Sequence, residues 1–301
     1  MTIKQKLLIF IINRLAPLLP YISARLTYQL WTRTYRYKMP EKEAAAFNRA
    51  HKQKIEVNGT AIMTYRWGEF NGGDAIKRPL ILLLHGWNGR ATQLCVFAQG
   101  LERAGFNVLA FDARGHGLSD GNHTNVMQTV AAIKKLSTMY GDFFAMIGHS
   151  FGAMCAVNSV NQAVVCEKLI CISPPTDFLS LLQVFSGHLG LSKKAEMALE
   201  KYVLQKYGID SFEQISITGI APRMTIPLLI IHDKNDDRVP LSQGQKAVEL
   251  WGSSVRGVGG NIDGSGAVLH VTQGYGHMRI LRKPEVLKVS LGFLADETAG
   301  L

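Results

Sequence analysis

Phe143-Phe144-Ala145-Met146-Ile147-Gly148-His149-Ser150-Phe151-Gly152-Ala153 is the stretch whose reading decides the fold. Five apolar residues in succession suit a strand buried on both faces of a sheet. The chain then passes Gly-x-Ser-x-Gly and continues as the apolar run Ala153 to Val157, which reads as a helix starting at Ser150. In so sharp a strand-turn-helix connection, side chains at 148 or 152 would clash with the neighbouring strand or helix, and the turn lifts the Ser150 hydroxyl above the sheet. The plainer alternative is a serine that merely caps a helix, and the strand-turn-helix setting weighs against it.

Working outward from this turn, strand-like and helical stretches alternate, the pattern of an α/β domain with a mostly parallel central sheet flanked by helices. Ile55–Val57 and Thr60–Trp67 are expected to form a hairpin around Asn58-Gly59, and Asn71-Gly72-Gly73-Asp74 the next turn. Strands are expected at Pro79–His85, Asn107–Asp112, Phe143–Gly148, Lys168–Ser173, Pro227–Asp233 and Val268–Thr272, and helices at Ala91–Ala104, Val126–Tyr140 and Pro284–Leu294. From about 174 to 222 the sequence turns helical and polar, which predicts a short helical cap inserted over the sheet. Gly257 to Gly266, with five glycines, reads as a surface loop.

The 301 residues carry a formal charge of +10, and its distribution matters more than its size. Residues 1–54 hold 11 basic and 2 acidic side chains, whereas the rest is nearly neutral with 22 and 21. The division is therefore a basic N-terminal arm, 1–54, and a body, 55–301, and a nucleic-acid-coating surface on the body is not expected. In the arm, Ile3, Leu7, Leu8, Ile11 and Leu15 share one helical face before Pro17, and Ile22, Leu26 and Leu30 repeat the spacing up to Trp31. Such helices either lie on an anionic membrane surface, with residues 1–42 as the contact, or pack on the protein's own body or a second subunit in a homodimer. Under the first reading, deleting 1–42 would leave hydrolysis of a soluble ester intact. Arg14, Pro17, Pro20 and Arg25 divide the segment too finely for a membrane span. No small-residue cleavage site follows the first apolar run. Cys95, Cys155, Cys166 and Cys171 sit in apolar surroundings without a CxxC pair, which suits buried thiols in a reducing compartment. The expected location is cytoplasmic, peripheral at the inner membrane surface if the arm binds lipid.

A serine hydroxyl becomes nucleophilic only when a base removes its proton and a carboxylate orients that base. Among the histidines after Ser150, His277 lies in Gly274-Tyr275-Gly276-His277, between the last strand and the last helix, and is the expected base. His188 falls in the cap, and His232 and His270 fall in strand-like runs, where a satisfied core histidine is expected. For the acid, Asp236 and Asp237 compete at the strand end Asp233-Lys234-Asn235-Asp236-Asp237-Arg238-Val239-Pro240, and Asp177 is a further alternative. Spacing alone does not choose between them. Asp112 reads as a turn residue tying down Arg114–Gly117. The charge that develops on a carbonyl oxygen needs two backbone donors, expected from the N–H of Phe151 and, in His85-Gly86-Trp87, the N–H of Trp87. This chemistry asks for no cofactor and no metal.

Leu84-His85-Gly86-Trp87, the run Phe111 to Ser119, the Ser150 turn, Asp236-Asp237-Arg238-Val239-Pro240 and Gly276-His277 together resemble the α/β-hydrolase superfamily from about Ile55 to Leu294, in its serine esterase and lysophospholipase-like branch. The resemblance implies the α/β-hydrolase fold. It also implies that the Asp-x-x-Val-Pro pattern marks the acid, which falls on Asp236. The implied activity is hydrolysis of a small-molecule carboxylic ester through an acyl-enzyme. A peptidase or acyltransferase with the same triad is the alternative, and a catalytically idle binding scaffold a more distant one.

Overall fold

The structure, a computed structural model, describes residues 3–70, 78–252 and 266–295. The arm opens with α1 (Ile3–Leu15) and α2 (Pro20–Thr32), separated at the prolines, and continues through the short α3 (Ala44–Arg49). The hairpin β1 (His51–Val57) and β2 (Thr60–Trp67) follows, joined by Asn58 and Gly59, both at positive φ as a two-residue type I′ turn requires. Then come β3 (Leu80–Leu84), α4 (Cys95–Arg103), β4 (Asn107–Phe111), α5 (Val126–Tyr140), β5 (Phe143–His149), α6 (Phe151–Asn161) and β6 (Cys166–Ile172). The cap contributes α7 (Phe178–Leu189), α8 (Lys193–Tyr207) and the single-turn α9 (Ile217–Ile220). The chain closes with β7 (Leu228–Asp233), α10 (Leu241–Leu250), β8 (Ala267–Thr272), α11 (Gly276–Arg279) and α12 (Pro284–Leu294).

The eight strands form one sheet in the order β1-β2-β4-β3-β5-β6-β7-β8. β2 is antiparallel to both of its neighbours, and every pair from β4–β3 through β7–β8 is parallel. The central strands are continuous apolar runs because both faces are covered. Leu82, Leu84, Leu109 and Phe111 pack with α5 and α6, while Ile81, Leu83, Val108 and Ala110 pack with α4 and α12 on the opposite face.

The arm is sewn onto the rest of the molecule. Ser23 Oγ donates to Ile12 O at 3.0 Å, closing α1 against α2, and Asn13 exchanges hydrogen bonds with Gly190 O and the Ser192 amide between the cap helices. Tyr28 is buried in the larger core cluster, edge-on to Trp31 and packed on Tyr202 of α8. The strap after α2 is tied to the body at three successive residues: Thr34 Oγ1 donates to Gly115 O, the Tyr35 amide to Asn88 Oδ1, and the Arg36 guanidinium to the carbonyls of Gly117, Ser119 and Gly121. Packing on the body is thus what one side of the arm does. Its other side leaves Ile3, Leu7, Phe10, Ile11, Leu18, Leu19, Tyr21 and Ile22 exposed.

Several expectations need adjustment. β1 begins at His51, four residues before the expected start, because Lys52, Gln53 and Lys54 pair in register with Tyr65, Thr64 and Met63 while their side chains face solvent. An edge strand of that kind has little hydrophobic signature. α3 and α10 were not expected at all; α10 buries only Gly244 and Ala247, too few apolar positions to announce it. The Asn71–Asp74 turn and all but the last residue of the Gly257–Gly266 loop lie outside the described residues. The four cysteines are buried thiols.

Candidate active site

Ser150 stands between β5 and α6 with φ 50° and ψ −118°, a conformation that a non-glycine residue adopts only under constraint. The constraint is visible on either side. A Cβ at Gly148 would come within 2.5 Å of the Ala153 backbone, and one at Gly152 would run into the carbonyls of Leu84 and His85. β5 therefore passes over β3 and into α6 with no room for a relaxed turn. The Ser150 amide is anchored on Ile172 O at 2.9 Å.

His277 is buried in α11, where Gly276 at φ 63° provides the turn after β8. Its Nδ1 donates to Asp236 Oδ2 at 2.8 Å, leaving Nε2 as the unprotonated nitrogen of the neutral ring. The Asp236 side chain is fully buried. Burial by itself raises its carboxyl, but the hydrogen bonds from His277 and the Val239 and Arg238 amides outweigh that and hold it well below the usual carboxylate range. Asp237 is exposed, and Asp177 is occupied as the cap of α7, accepting from the Ser180 amide and hydroxyl. Of the competing carboxylates it is Asp236 that His277 meets.

The link from this pair to Ser150 runs through His149. His149 Nε2 donates to His277 O at 2.9 Å, and the two rings lie 4.8 Å apart. Among the described residues no hydrogen bond joins Ser150 Oγ to the imidazole of His277; such bonds are commonly loose until a substrate aligns them. Gly86 also serves this contact, since a Cβ there would stand 2.7 Å from His149 Nδ1.

The loop after β3 carries Trp87, whose ring meets Phe151 edge-on at 5.1 Å, so both residues assigned to the oxyanion hole flank Ser150 in one pocket. Two buried histidines brace that loop. His85 Nε2 accepts from the Ala113 amide while Nδ1 donates to Gly86 O, and His116 Nε2 accepts from the Asn88 amide while Nδ1 donates to Arg114 O. Each ring thus uses one donor and one acceptor, as only a neutral imidazole can. Burial pushes His85 down to about 4, and His116 and His149 to about 3. Asp112 does more than tie one turn: it accepts from Leu118 N, Ala91 N and Tyr65 Oη, joining β2, the β3 loop and the β4 loop.

A cavity of about 350 Å³ opens beside Ser150 and is walled by Trp87, Phe151, Met154, Phe178, Leu181 and Phe185, with Trp31, Thr32, Arg33 and Tyr35 from the arm. The arm thus contributes part of the wall of the pocket beside Ser150. Sequence reasoning missed His149, which fills the variable position of Gly-x-Ser-x-Gly and so drew no attention. His188 lies in the cap and His232 in the core, as expected; His232 donates to Val239 O and lies 3.6 Å from Asp236. His270 is instead half-buried against Glu285, because β8 is the sheet's edge.

A family profile described as serine aminopeptidase, S33, matches residues 75–203, which include Ser150. A lysophosphatidylserine lipase, ABHD12, from Xenopus tropicalis is 28% identical over 237 residues, covering 72% of this chain and 58% of that protein. The chain thus spans little more than half the length of the curated relatives it matches. Among solved structures, the Pyrococcus furiosus esterase Pf2001 superposes with a TM-score of 0.59 at 21% identity, over 88% of this chain and 96% of that one. A membrane phospholipase A gives 0.60 at 15% identity over 97% and 98%. The chain therefore has the α/β-hydrolase fold, and it is similar in sequence and structure to esterases and lipases.

Proposed function

We propose that the chain is a serine hydrolase that cleaves carboxylic esters carrying an apolar acyl group. Ser150 Oγ attacks the ester carbonyl and passes its proton to His277 Nε2. Asp236 keeps the proton of the imidazole on Nδ1 and stabilises the imidazolium that forms. The N–H groups of Phe151 and Trp87 receive the negative oxygen of the tetrahedral intermediate. His277 then protonates the departing alcohol, and water repeats the sequence on the acyl-enzyme. The observation that carries this reading is the 2.8 Å His277–Asp236 hydrogen bond, packed on His149, whose chain neighbour is the strained serine lining an apolar pocket.

The pocket favours an acyl ester over an aminopeptidase substrate. A free α-amino group is cationic and calls for a carboxylate partner, whereas the described lining contains no Asp or Glu and one cation, Arg33. The outer face of the arm fits the same class of substrate. Exposed Ile3, Leu7, Phe10, Leu18 and Leu19 stand among exposed Lys6 and Arg14, the pairing that binds an anionic lipid surface. Among the described residues no helix is long and apolar enough to cross a membrane, so the contact proposed is peripheral.

Steady-state rates on p-nitrophenyl esters from C2 to C16, beside aminoacyl p-nitroanilides, test the reaction class. Ester turnover that rises with chain length and disappears in Ser150→Ala is expected. Turnover of the anilides alone would transfer the assignment to a peptidase. Flotation with phosphatidylglycerol vesicles tests the arm: Leu7→Asp with Phe10→Asp should release the protein, and equal binding by that variant would refute the lipid contact.

A further inference from the structure

Behind the apolar pocket lies a second cavity of about 340 Å³ with the opposite character. Thr32, Thr124 and Asn125 belong to both walls. Its other walls bring together Arg25 of α2, Arg114 of the loop after β4 and Lys206 of α8, one cation each from arm, body and cap. No carboxylate lines the cavity, and none of the three cations has an ion-pair partner among the described residues.

Two further observations point to a ligand. Thr124 is fully buried, and among the described residues its hydroxyl has no hydrogen-bond partner. The Nε of Arg114 is likewise buried and unpartnered. Buried polar groups of this kind are rare because leaving them unsatisfied is unfavourable. The 15-residue α5 begins at this cavity, so its positive end adds to the three side-chain charges. The surroundings are otherwise fixed. Asn125 Oδ1 caps the Gln128 amide while its Nδ2 donates to Tyr28 Oη, and Lys206 is held over the rings of Tyr28 and Tyr202 at 5.4 and 6.0 Å.

We infer that this junction of arm, cap and body is an oxyanion site that takes a phosphate-class group. An oxyanion would accept from Thr124 and Arg114, neutralise the three cations and lie on the α5 terminus. The group comes either from free phosphate or from an amphiphile whose apolar part occupies the adjoining pocket. In both cases it would draw α2 and α8 together and so firm the pocket wall. The inference does not depend on Ser150 being a nucleophile, and the test is run on full-length Ser150→Ala so that the two readings fail separately.

Isothermal titration at fixed ionic strength with inorganic phosphate, octyl phosphate and octanol reads the site. Binding of phosphate is expected, with affinity reduced roughly tenfold by Arg114→Gln and by Lys206→Gln and unchanged by Lys201→Gln, which removes an exposed charge from the same helix outside the cavity. Arg25 is exposed, so Arg25→Gln keeps the test decisive if Arg114→Gln fails to fold. Octyl phosphate binding at least tenfold more tightly than inorganic phosphate, with octanol weak, assigns the group to an amphiphile; equal affinities assign it to the free ion. Absence of binding at millimolar concentrations, or affinities that the Arg25, Arg114 and Lys206 variants leave within twofold, would overturn the inference. An equal loss in Lys201→Gln would do so as well, because it would reduce the effect to net charge.

Discussion

Replacing Ser150 by glycine should make the protein inactive and more stable at once. The serine sits at φ 50°, ψ −118° because Gly148 and Gly152 press β5, β3 and α6 too close for any other path. A non-glycine residue in such a conformation stores about 1–3 kcal/mol. Alanine at 150 keeps a Cβ and therefore keeps that strain, while glycine releases it. Against the release stands the larger conformational freedom glycine gives the unfolded chain, about 0.5–1 kcal/mol. The expected balance is a Ser150→Gly protein roughly 1 kcal/mol more stable than Ser150→Ala, or about 2 °C in Tm for a chain of this size. Because neither variant has the hydroxyl, their difference isolates the backbone. Urea unfolding of the two variants followed by circular dichroism, with p-nitrophenyl ester turnover measured alongside, provides the readout. A Ser150→Gly protein no more stable than Ser150→Ala would show that the turn is unstrained and would refute the reasoning.

Further outcomes follow from the geometry. The carboxyl of Asp236 is depressed in the fold, so its contribution to stability is present above the ordinary carboxylate pKa of about 4 and is lost as pH falls further; Asp236→Asn should flatten acid unfolding below that point. The same substitution lets His277 take the wrong tautomer, and ester turnover at pH 7 should drop roughly ten-thousandfold. His85, His116 and His149 are depressed to about 4, 3 and 3, so the unfolded chain takes up protons that the fold excludes as pH falls below about 6.5. Stability should therefore decline between pH 6.5 and 4.5, by up to about 1.4 kcal/mol per pH unit for each ring, and urea midpoints that stay constant over this range would contradict the assignment. Removing residues 1–36 takes Trp31, Thr32, Arg33 and Tyr35 from the pocket and Tyr28 from the core, so ester turnover should collapse. The milder Trp31→Ala should move the preferred acyl chain to greater length, as read from kcat/KM across the ester series.

The strands that build the centre of the sheet were legible because burial on both faces writes itself as unbroken apolar sequence, as in Leu80–Leu84 and Phe143–Ile147. The turn at Ser150 was legible because Gly148 answers to a steric contact with Ala153, close in the chain, and Gly152, although pressed on the distant Leu84 and His85, completes the Gly-x-Ser-x-Gly spacing. What stayed hidden depends on partners distant in sequence. His149 meets His277 across 128 positions, and the strap Arg33–Arg36 reaches the loop at 115–121 through backbone carbonyls that carry no residue code. The choice of Asp236 over Asp237 came from a resemblance; in the structure it is a matter of which side chain the turn after β7 points inward. The arm's two roles, packing on the cap and walling the pocket, could not be read from amphipathic spacing, which shows that a helix has an apolar face but not what covers it.

The central claim is that Ser150 is made nucleophilic by its surroundings. Reaction of the purified protein with a fluorophosphonate, followed by peptide mass spectrometry, tests it most directly. A single stoichiometric adduct on Ser150 is predicted, formed far more slowly in His277→Ala. An unmodified protein, or an adduct that persists in Ser150→Ala, would contradict the account.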